Sequence, residues 1–386
     1  MTHRSQGRRR YQEDYVKHLN GADRPRADSL IERCDGFAYD YYMHCECGRI
    51  SRVPLDVYWE RGLIDALAPC EHCGRDIHYG SLVAALRDPN DPALSNDEVA
   101  NLAWYHTSTF RDWPPPEYLA FVSGQFQQRG SRIIPPDARD RIRDREMTKA
   151  LHVGTYESAI ENMLRRMSGQ NDADNDFYLH RVSLDLSPED INVGCRDENH
   201  EDAGQILLDE LGQLRAVRYV NVHEAPGSIS LAIHPAVIAT IQTIALPLSA
   251  LAAQPPAHLL EAVARTEEEI AAARAAMPDV SGIGPMDLNM RVLMARRRGD
   301  ELALRVREGQ KRMRRAQDEL TELLAEAYLV GVGPVVRHDF VQAMGAASPK
   351  TPSSYHDYFR AHSAALTRAE DVVAQLKRQP ARSVAA

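Results

Sequence analysis

No stretch of this 386-residue chain approaches the run of about 18 to 20 apolar residues that a bilayer span requires. The longest apolar window, Ile229 to Ala253, is interrupted by His234, Gln242 and two prolines. The arginine-rich first residues are not followed by the apolar segment of a secretory signal. A soluble, cytoplasmic protein with no membrane partner is therefore expected. Neither a G-x-x-x-x-G-K-[ST] loop nor a G-x-G-x-x-G fingerprint occurs, which argues against an ATPase and a conventional dehydrogenase. The absence of a G-x-S-x-G elbow argues against a hydrolase built from His223 with Ser228 or Ser230. No repeat at a solenoid period is found. Cysteine is sparse, six in the whole chain, and four of the six fall in short paired spacings, which suits metal binding in a reducing compartment better than a disulfide framework.

What is present is ordinary in bulk: 44% hydrophobic and 26% charged residues, a composition that excludes neither an enzyme nor a binding protein. The net charge of -9 argues against a chain that simply coats nucleic acid. Two basic segments remain: Met1 to Arg10, and Arg129 to Lys149 with seven basic and four acidic residues. The first is expected to be a solvated terminus, with a nucleic-acid arm as the alternative.

The length exceeds that of one ordinary core, so more than one domain is expected. The pattern divides into a polar segment 1–33, a cysteine module 34–97 closed by the turn-rich D-P-N-D-P-A-L-S-N-D, a mixed α/β domain 98–254 and a helical region 255–386. The fold class is α+β. Within the middle domain, strands are expected over Trp104 to Thr109, Ala150 to Val153, Phe177 to Leu186, Ala216 to His223 and Ser228 to Ile233, and a helix over Glu117 to Gln128. Thr155 caps a second helix running to about Met167, with Glu157 in its first turn, where a carboxylate meets the positive end of the helix dipole. Asp172 to Glu210, with twelve acidic residues against two arginines, is expected to be largely solvated loop. Tyr11 to Arg33 is expected to hold a short helix, and the C-terminal region a hairpin of His258 to Met277 and Met286 to Leu329. A last helix over Tyr355 to Lys377 follows the Pro349 to Ser354 breaker, and the tail after Arg378 is expected to be disordered. Leu320, Leu323, Leu324 and Ala327 form one stripe, which either packs within the chain or, in coiled-coil fashion, joins copies of it.

The strongest local signal is H-C-E-C-G at Cys45 and Cys47 with C-E-H-C-G at Cys70 and Cys73, two pairs separated by 22 residues. Gly48 and Gly74 follow the second sulfur of each pair, where a loop turning two thiolates toward one point needs positive φ. Four soft thiolates close the tetrahedral sphere of zinc and leave no position for water, so the role is structural. His44, His72 and His78 are alternative ligands, and Cys34 and Cys195 fall outside the pattern. The segment resembles a zinc ribbon, a fold that names no activity by itself.

Three segments of the middle domain set chemically capable residues in strand-like runs: W-Y-H-T-S-T from Trp104, L-H-V-G-T-Y-E-S-A-I from Leu151, and R-Y-V-N-V-H-E-A-P-G-S-I-S-L from Arg218. The H-x-G-T element leading into a helix, the aromatic strand at Phe177 to His180 and the glutamate near a later strand end together resemble the layout of ADP-ribosyltransferases of the diphtheria-toxin and poly-ADP-ribose polymerase type. The resemblance covers about residues 100 to 247. It implies NAD as substrate, a first-strand histidine on the adenosine ribose, a tyrosine stacked on nicotinamide and a glutamate on the nicotinamide ribose. Carried onto this chain, those are His152 with Gly154 and Thr155, or His106 in their place, then Tyr178 and Glu224. Cleavage of the nicotinamide glycosidic bond passes through an oxocarbenium-like state that a carboxylate stabilises. The turn at Gly154 and Thr155 is expected to leave backbone amides for a phosphate. The usual glycine-flanked tyrosine segment of the family is missing, and Tyr178 stands before H-R-V-S-L instead. The expected function is an ADP-ribosyltransferase or NAD glycohydrolase acting on a macromolecular target. The alternatives are a non-enzymatic zinc-ribbon adaptor and a nucleic-acid-binding protein.

Overall fold

The computed structural model describes residues 29–54, 57–58, 67–78, 85–114, 149–197, 206–221, 225–281, 283–347 and 351–384. The Met1 to Arg10 segment, the helix expected over Glu117 to Gln128, most of Arg129 to Lys149, His223 and Glu224 lie outside these residues. So does most of the helix expected over Tyr11 to Arg33. Ile31, at the end of that stretch, pairs with Leu102 in a parallel bridge.

The protein is α+β. Among its described residues the cysteine module holds two antiparallel hairpins, β1 (Asp40–His44) with β2 (Ile50–Pro54), and β3 (Leu67–Pro69) with β4 (Asp76–His78). Tyr41, Met43, Val53, Ala68, Ile77 and Ala85 bury their side chains with Cys45 and Cys70 in a small core of their own.

The central strands are β5 (Trp104–Ser108), β6 (Leu151–Val153), β7 (Phe177–Leu184), β8 (Arg196–Asp197), β9 (Ala216–Val220), β10 (Ile229–Ile233), β11 (Ile238–Leu246) and β12 (Arg382–Ser383). They form two four-stranded sheets, ordered β6-β10-β9-β8 and β12-β11-β7-β5. The sheets meet at one seam, where Tyr105 and Gly154 exchange both backbone hydrogen bonds at 2.9 and 3.0 Å. Alternation then assigns the faces. Trp104 and Val182 of one sheet share a core with Val153, Leu231 and Ile233 of the other, whereas Tyr105, Leu179 and Ile244 point away from it into the helical layer.

Because β7 is covered on both faces, its polar residues must be satisfied internally. Arg181, 1% exposed at its side chain, forks onto Glu32 at 2.6 Å and reaches Gln242 at 2.8 Å. Ser183 meets the Thr240 hydroxyl at 2.6 Å.

The helices among the described residues are α1 (Tyr156–Gly169), α2 (Ala257–Ala275), α3 (Pro285–Arg298), α4 (Glu301–Tyr328), α5 (Pro334–Ala346), α6 (Pro352–Thr367) and α7 (Ala369–Lys377). One apolar core runs across the boundary expected at 254/255: Ile160 and Met163 of α1 pack with Leu259, Leu324, Phe340 and Phe359. Phe340 and Phe359 meet edge to face at 5.0 Å, and full burial of each phenyl ring contributes about 1.5–3 kcal/mol.

Several expectations change. The helix expected from Met286 to Leu329 breaks at Gly299, which takes φ +61, and Asp300 caps the new start by accepting from Ala303 N. The Leu320 and Leu324 stripe packs inside the chain, 1% and 0% exposed. The Pro349 to Ser354 breaker contains the start of α6, with Pro352 in the first turn, where its missing N–H costs nothing. The last helix is two, divided at Arg368. The tail expected to be disordered adds β12 to the edge of β11. Part of the acidic stretch is not solvated: Ile206, with Leu211 just beyond it, closes over Val217, Tyr219 and Ala232 on the outer face of the β6-β10-β9-β8 sheet. No helix among the described residues is long and apolar enough to cross a membrane.

Candidate metal centre and the seam between the sheets

Each cysteine pair sits in the turn of its own hairpin, and the two turns face each other. Cys45 N donates to Arg49 O and Gly48 N to Cys45 O, both at 2.9 Å; Cys70 N donates to Arg75 O at 2.7 Å and Gly74 N to Cys70 O at 2.9 Å. Gly48 and Gly74 take φ +80 and +72, the left-handed conformation that such a turn demands and that glycine adopts without strain. The sulfurs thereby converge: Cys45 Sγ lies 3.6 Å from Cys73 Sγ, Cys47 Sγ lies 3.9 Å from Cys70 Sγ, and all four fall within 4.8 Å of one another. A tetrahedron with zinc–sulfur arms of 2.3 Å has edges of about 3.8 Å. Backbone N–H groups of Cys47 and His72 point at Cys45 and Cys70 sulfurs at 3.5 and 3.4 Å, a donor arrangement that favours thiolate. The four cysteines are thus a group positioned to hold a metal ion. His72 is not part of it, since its Nε2 lies 2.9 Å from Ile50 O; His44 is exposed on β1.

At the seam the two candidate histidines are neighbours with different outlooks. His106 Nδ1 lies 2.9 Å from the backbone oxygen of His152. An oxygen acceptor there fixes the Nδ1–H tautomer and leaves Nε2 as an acceptor. The His106 ring stacks on Trp113 at 4.2 Å and 22° and faces His180 across the strand pair. His180 is held at both nitrogens, by Thr243 Oγ1 at 2.9 Å and Phe110 O at 3.1 Å. Burial drives both imidazoles toward the neutral form, His106 well below its ordinary range and His180 to about 3. Tyr178 lies on the same face as His180 by alternation, and pairs with Ser108 as His106 pairs with His180. The structure therefore brings His106 and Tyr178 onto one face, turned toward the second sheet.

His152 points the other way. It pairs with Ala232, shares the outer face of its sheet with Tyr219, and places Nδ1 2.9 Å from the Tyr219 hydroxyl. The turn after it is already engaged. Gly154 N donates to Tyr105 O and Tyr156 N to Arg33 O, while Thr155 Oγ1 accepts from Ser158 N at 3.1 Å. Gly154 is glycine because a Cβ there would lie 2.1 Å from Ser158 Oγ and 2.9 Å from Ser230 Oγ. The Gly154, Tyr156 and Ser158 amides therefore serve the fold.

Glu224 lies outside the described residues, but the turn that follows it does not. Asn221 Oδ1 accepts from Ala225 N at 3.1 Å, and Gly227 N donates to Asn221 O at 2.8 Å, so Asn221, just past the end of β9, holds the 225–227 backbone beside it. Ile229, at its far side, starts β10 at the end of the sheet where Gly154 passes into α1.

Sequence reasoning missed Trp113, His180 and a buried ionic cluster. Arg87 forks onto Glu161 of α1, 2.9 Å at each oxygen. Its guanidinium also lies 3.5 Å from the centre of the Tyr39 ring. Glu157, one turn earlier, occupies the first helical turn as expected, but it is 5% exposed and accepts from Gly36 N at 2.7 Å. Burial pushes its carboxyl up to about 7 against that hydrogen bond. The folded chain therefore holds a proton there that the unfolded chain releases near the ordinary carboxylate value. The stabilisation is fully present below that value and lost as pH rises through about 7. Glu157→Gln is expected to flatten this decline, worth on the order of 2 kcal/mol between about pH 5 and about pH 8. Urea denaturation at the two pH values checks it.

Comparison with protein-family models, with curated proteins and with solved structures finds no match for this chain.

Proposed function

We propose that the four thiolates hold one structural zinc ion in a reducing compartment such as the cytoplasm, and that the domain behind them cleaves the nicotinamide glycosidic bond of NAD. ADP-ribose then passes to water or to a macromolecular acceptor. The observation that carries the catalytic reading is the shared face of His106 and Tyr178 beside the sheet seam. A neutral His106 with Nε2 as acceptor suits a ribose hydroxyl, which donates to it. Tyr178 offers a flat face to the nicotinamide ring. Glu224 is the carboxylate proposed to stabilise the oxocarbenium-like ribose. His106 is preferred over His152, whose ring is turned to the outer face with Tyr219.

The expected result is release of nicotinamide when the purified chain is incubated with NAD, and a loss of about 100-fold or more in Glu224→Gln. Unchanged release in that variant removes Glu224 from the chemistry. No release, with candidate acceptors present, favours the second reading, a zinc-module adaptor without catalysis. One observation speaks for that alternative: Trp113 lies flat on His106, so a ribose reaches His106 only if the indole moves.

A further inference from the structure

The cysteine module touches the middle domain at one place that bears on the proposed site. Its strand β1 pairs on its free edge with the segment at 85–87, through Tyr42 N to Leu86 O at 2.7 Å and Leu86 N to Tyr42 O at 3.0 Å. The next residue, Arg87, then takes both outward carbonyls of the turn that follows position 224. Its N–H donates to Gly227 O at 2.9 Å and its Nε to Pro226 O at 2.8 Å. Arg87 Nη1 and Nη2 fork onto Glu161, tying the same residue to α1, and Nη2 also donates to the Tyr39 hydroxyl. Gly227 takes φ +82, and a Cβ there would fall 2.7 Å from the Tyr41 ring and 2.9 Å from Ala85 O. Tyr41 and Ala85 belong to the module core that contains Cys45 and Cys70. A continuous packed path therefore leads from two of the metal-binding cysteines, through Tyr41 and Ala85, to Gly227.

We infer that the cysteine module is a clamp that positions the 225–228 turn, with Arg87 as the positioning residue, so that loss of the metal loosens this turn. The turn's own hydrogen bonds, such as Ser228 N to Ala225 O at 3.0 Å, close it locally but do not fix it against α1. Among the described residues, Arg87 ties it to α1 through Glu161, and Tyr41 backs it from the module core. As a control on catalysis the inference rests on the NAD reading; as a mechanical coupling it does not.

The test is amide hydrogen exchange on the full-length chain, metal-loaded and after removal of zinc by a strong chelator under reducing conditions. Exchange in 217–231 is expected to quicken at least tenfold, while the helical core around Phe340 and Phe359 stays protected. Unchanged exchange in 217–231 overturns the inference. If chelation unfolds the whole chain, metal-loaded Gly227→Ala provides the reciprocal measurement. Pushing the turn off Tyr41 is expected to quicken exchange at Tyr42 and Leu86, and unchanged exchange there overturns the inference. Nicotinamide release measured alongside separates the two ideas. Coupled exchange without release sinks the NAD reading alone, and release with no coupling sinks the clamp alone.

Discussion

Replacing Cys70 with serine is expected to leave the chain without bound metal and residues 40–78 unfolded. Cys70 is 2% exposed and faces the Cys47 sulfur at 3.9 Å, so a hydroxyl there removes one of four soft ligands and adds an acceptor that zinc holds poorly. Structural zinc supplies about 10–16 kcal/mol of apparent binding free energy in small modules. The module's own apolar core, chiefly Tyr41, Met43, Val53 and Ile77, is too small to replace that contribution, because so short a chain buries too little surface on folding. The helical layer and the inter-sheet core use other residues and are expected to survive. Limited proteolysis should therefore cut the variant within the module and leave the rest intact; a module as resistant as that of the unaltered chain would contradict the expectation.

Glu161→Ala is expected to cost about 3–5 kcal/mol of folding stability. The side chains of Arg87 and Glu161 are 10% and 8% exposed, so removing the carboxylate strands a guanidinium with no solvent to take its charge. Burial alone works against that charge, but Glu161 and the Tyr39 contact outweigh it and hold Arg87 firmly protonated. Converting both partners together, Arg87→Met with Glu161→Leu, is expected to recover most of the loss, since a buried pair exchanged for apolar volume is often neutral. Equilibrium urea denaturation measures both. A single-variant cost below about 1 kcal/mol, the range of exposed pairs, would mean that water reaches the cluster.

The metal group was legible because its signal is local: two short spacings and two glycines specify turns, and turns need nothing from the rest of the chain. The strands at Trp104, Leu151, Phe177, Ala216 and Ser228 and the Thr155 cap were legible for the same reason. Elements defined by what they pack against were not. β11, I-A-T-I-Q-T-I-A-L, sets Thr240, Gln242 and Thr243 irregularly among apolar residues, without the alternation that marks a half-buried strand. β12 pairs through only two residues, Arg382 and Ser383, and exists because β11 offers an edge. The helix α5 follows a V-G-V-G-P stretch that reads as a breaker, yet Gly333 and Pro334 open it.

At the candidate site, sequence placed His106 and His152 in similar strand contexts and left both open. Their difference is one of facing, set by the register at Tyr105 and Gly154, and a register shift of one residue would exchange faces. Glu157 shows the same limit from the electrostatic side. Its place in the first helical turn is a sequence property, but whether the helix dipole or burial governs its carboxyl depends on how deeply the fold buries it beneath the Gly36 backbone. Arg87 gave no local sign at all, because its partners are Tyr39, Glu161 and Pro226, remote in sequence.

On the reading proposed above, both the module's stability and its grip on the 225–228 turn depend on a metal ion held by Cys45, Cys47, Cys70 and Cys73, the group positioned for one. Elemental mass analysis of the chain, purified without added metal or chelator, tests this most directly. One zinc per chain, falling to none in Cys70→Ser, is the predicted result. A metal-free chain with the module folded, or zinc retained in full by the variant, would contradict it.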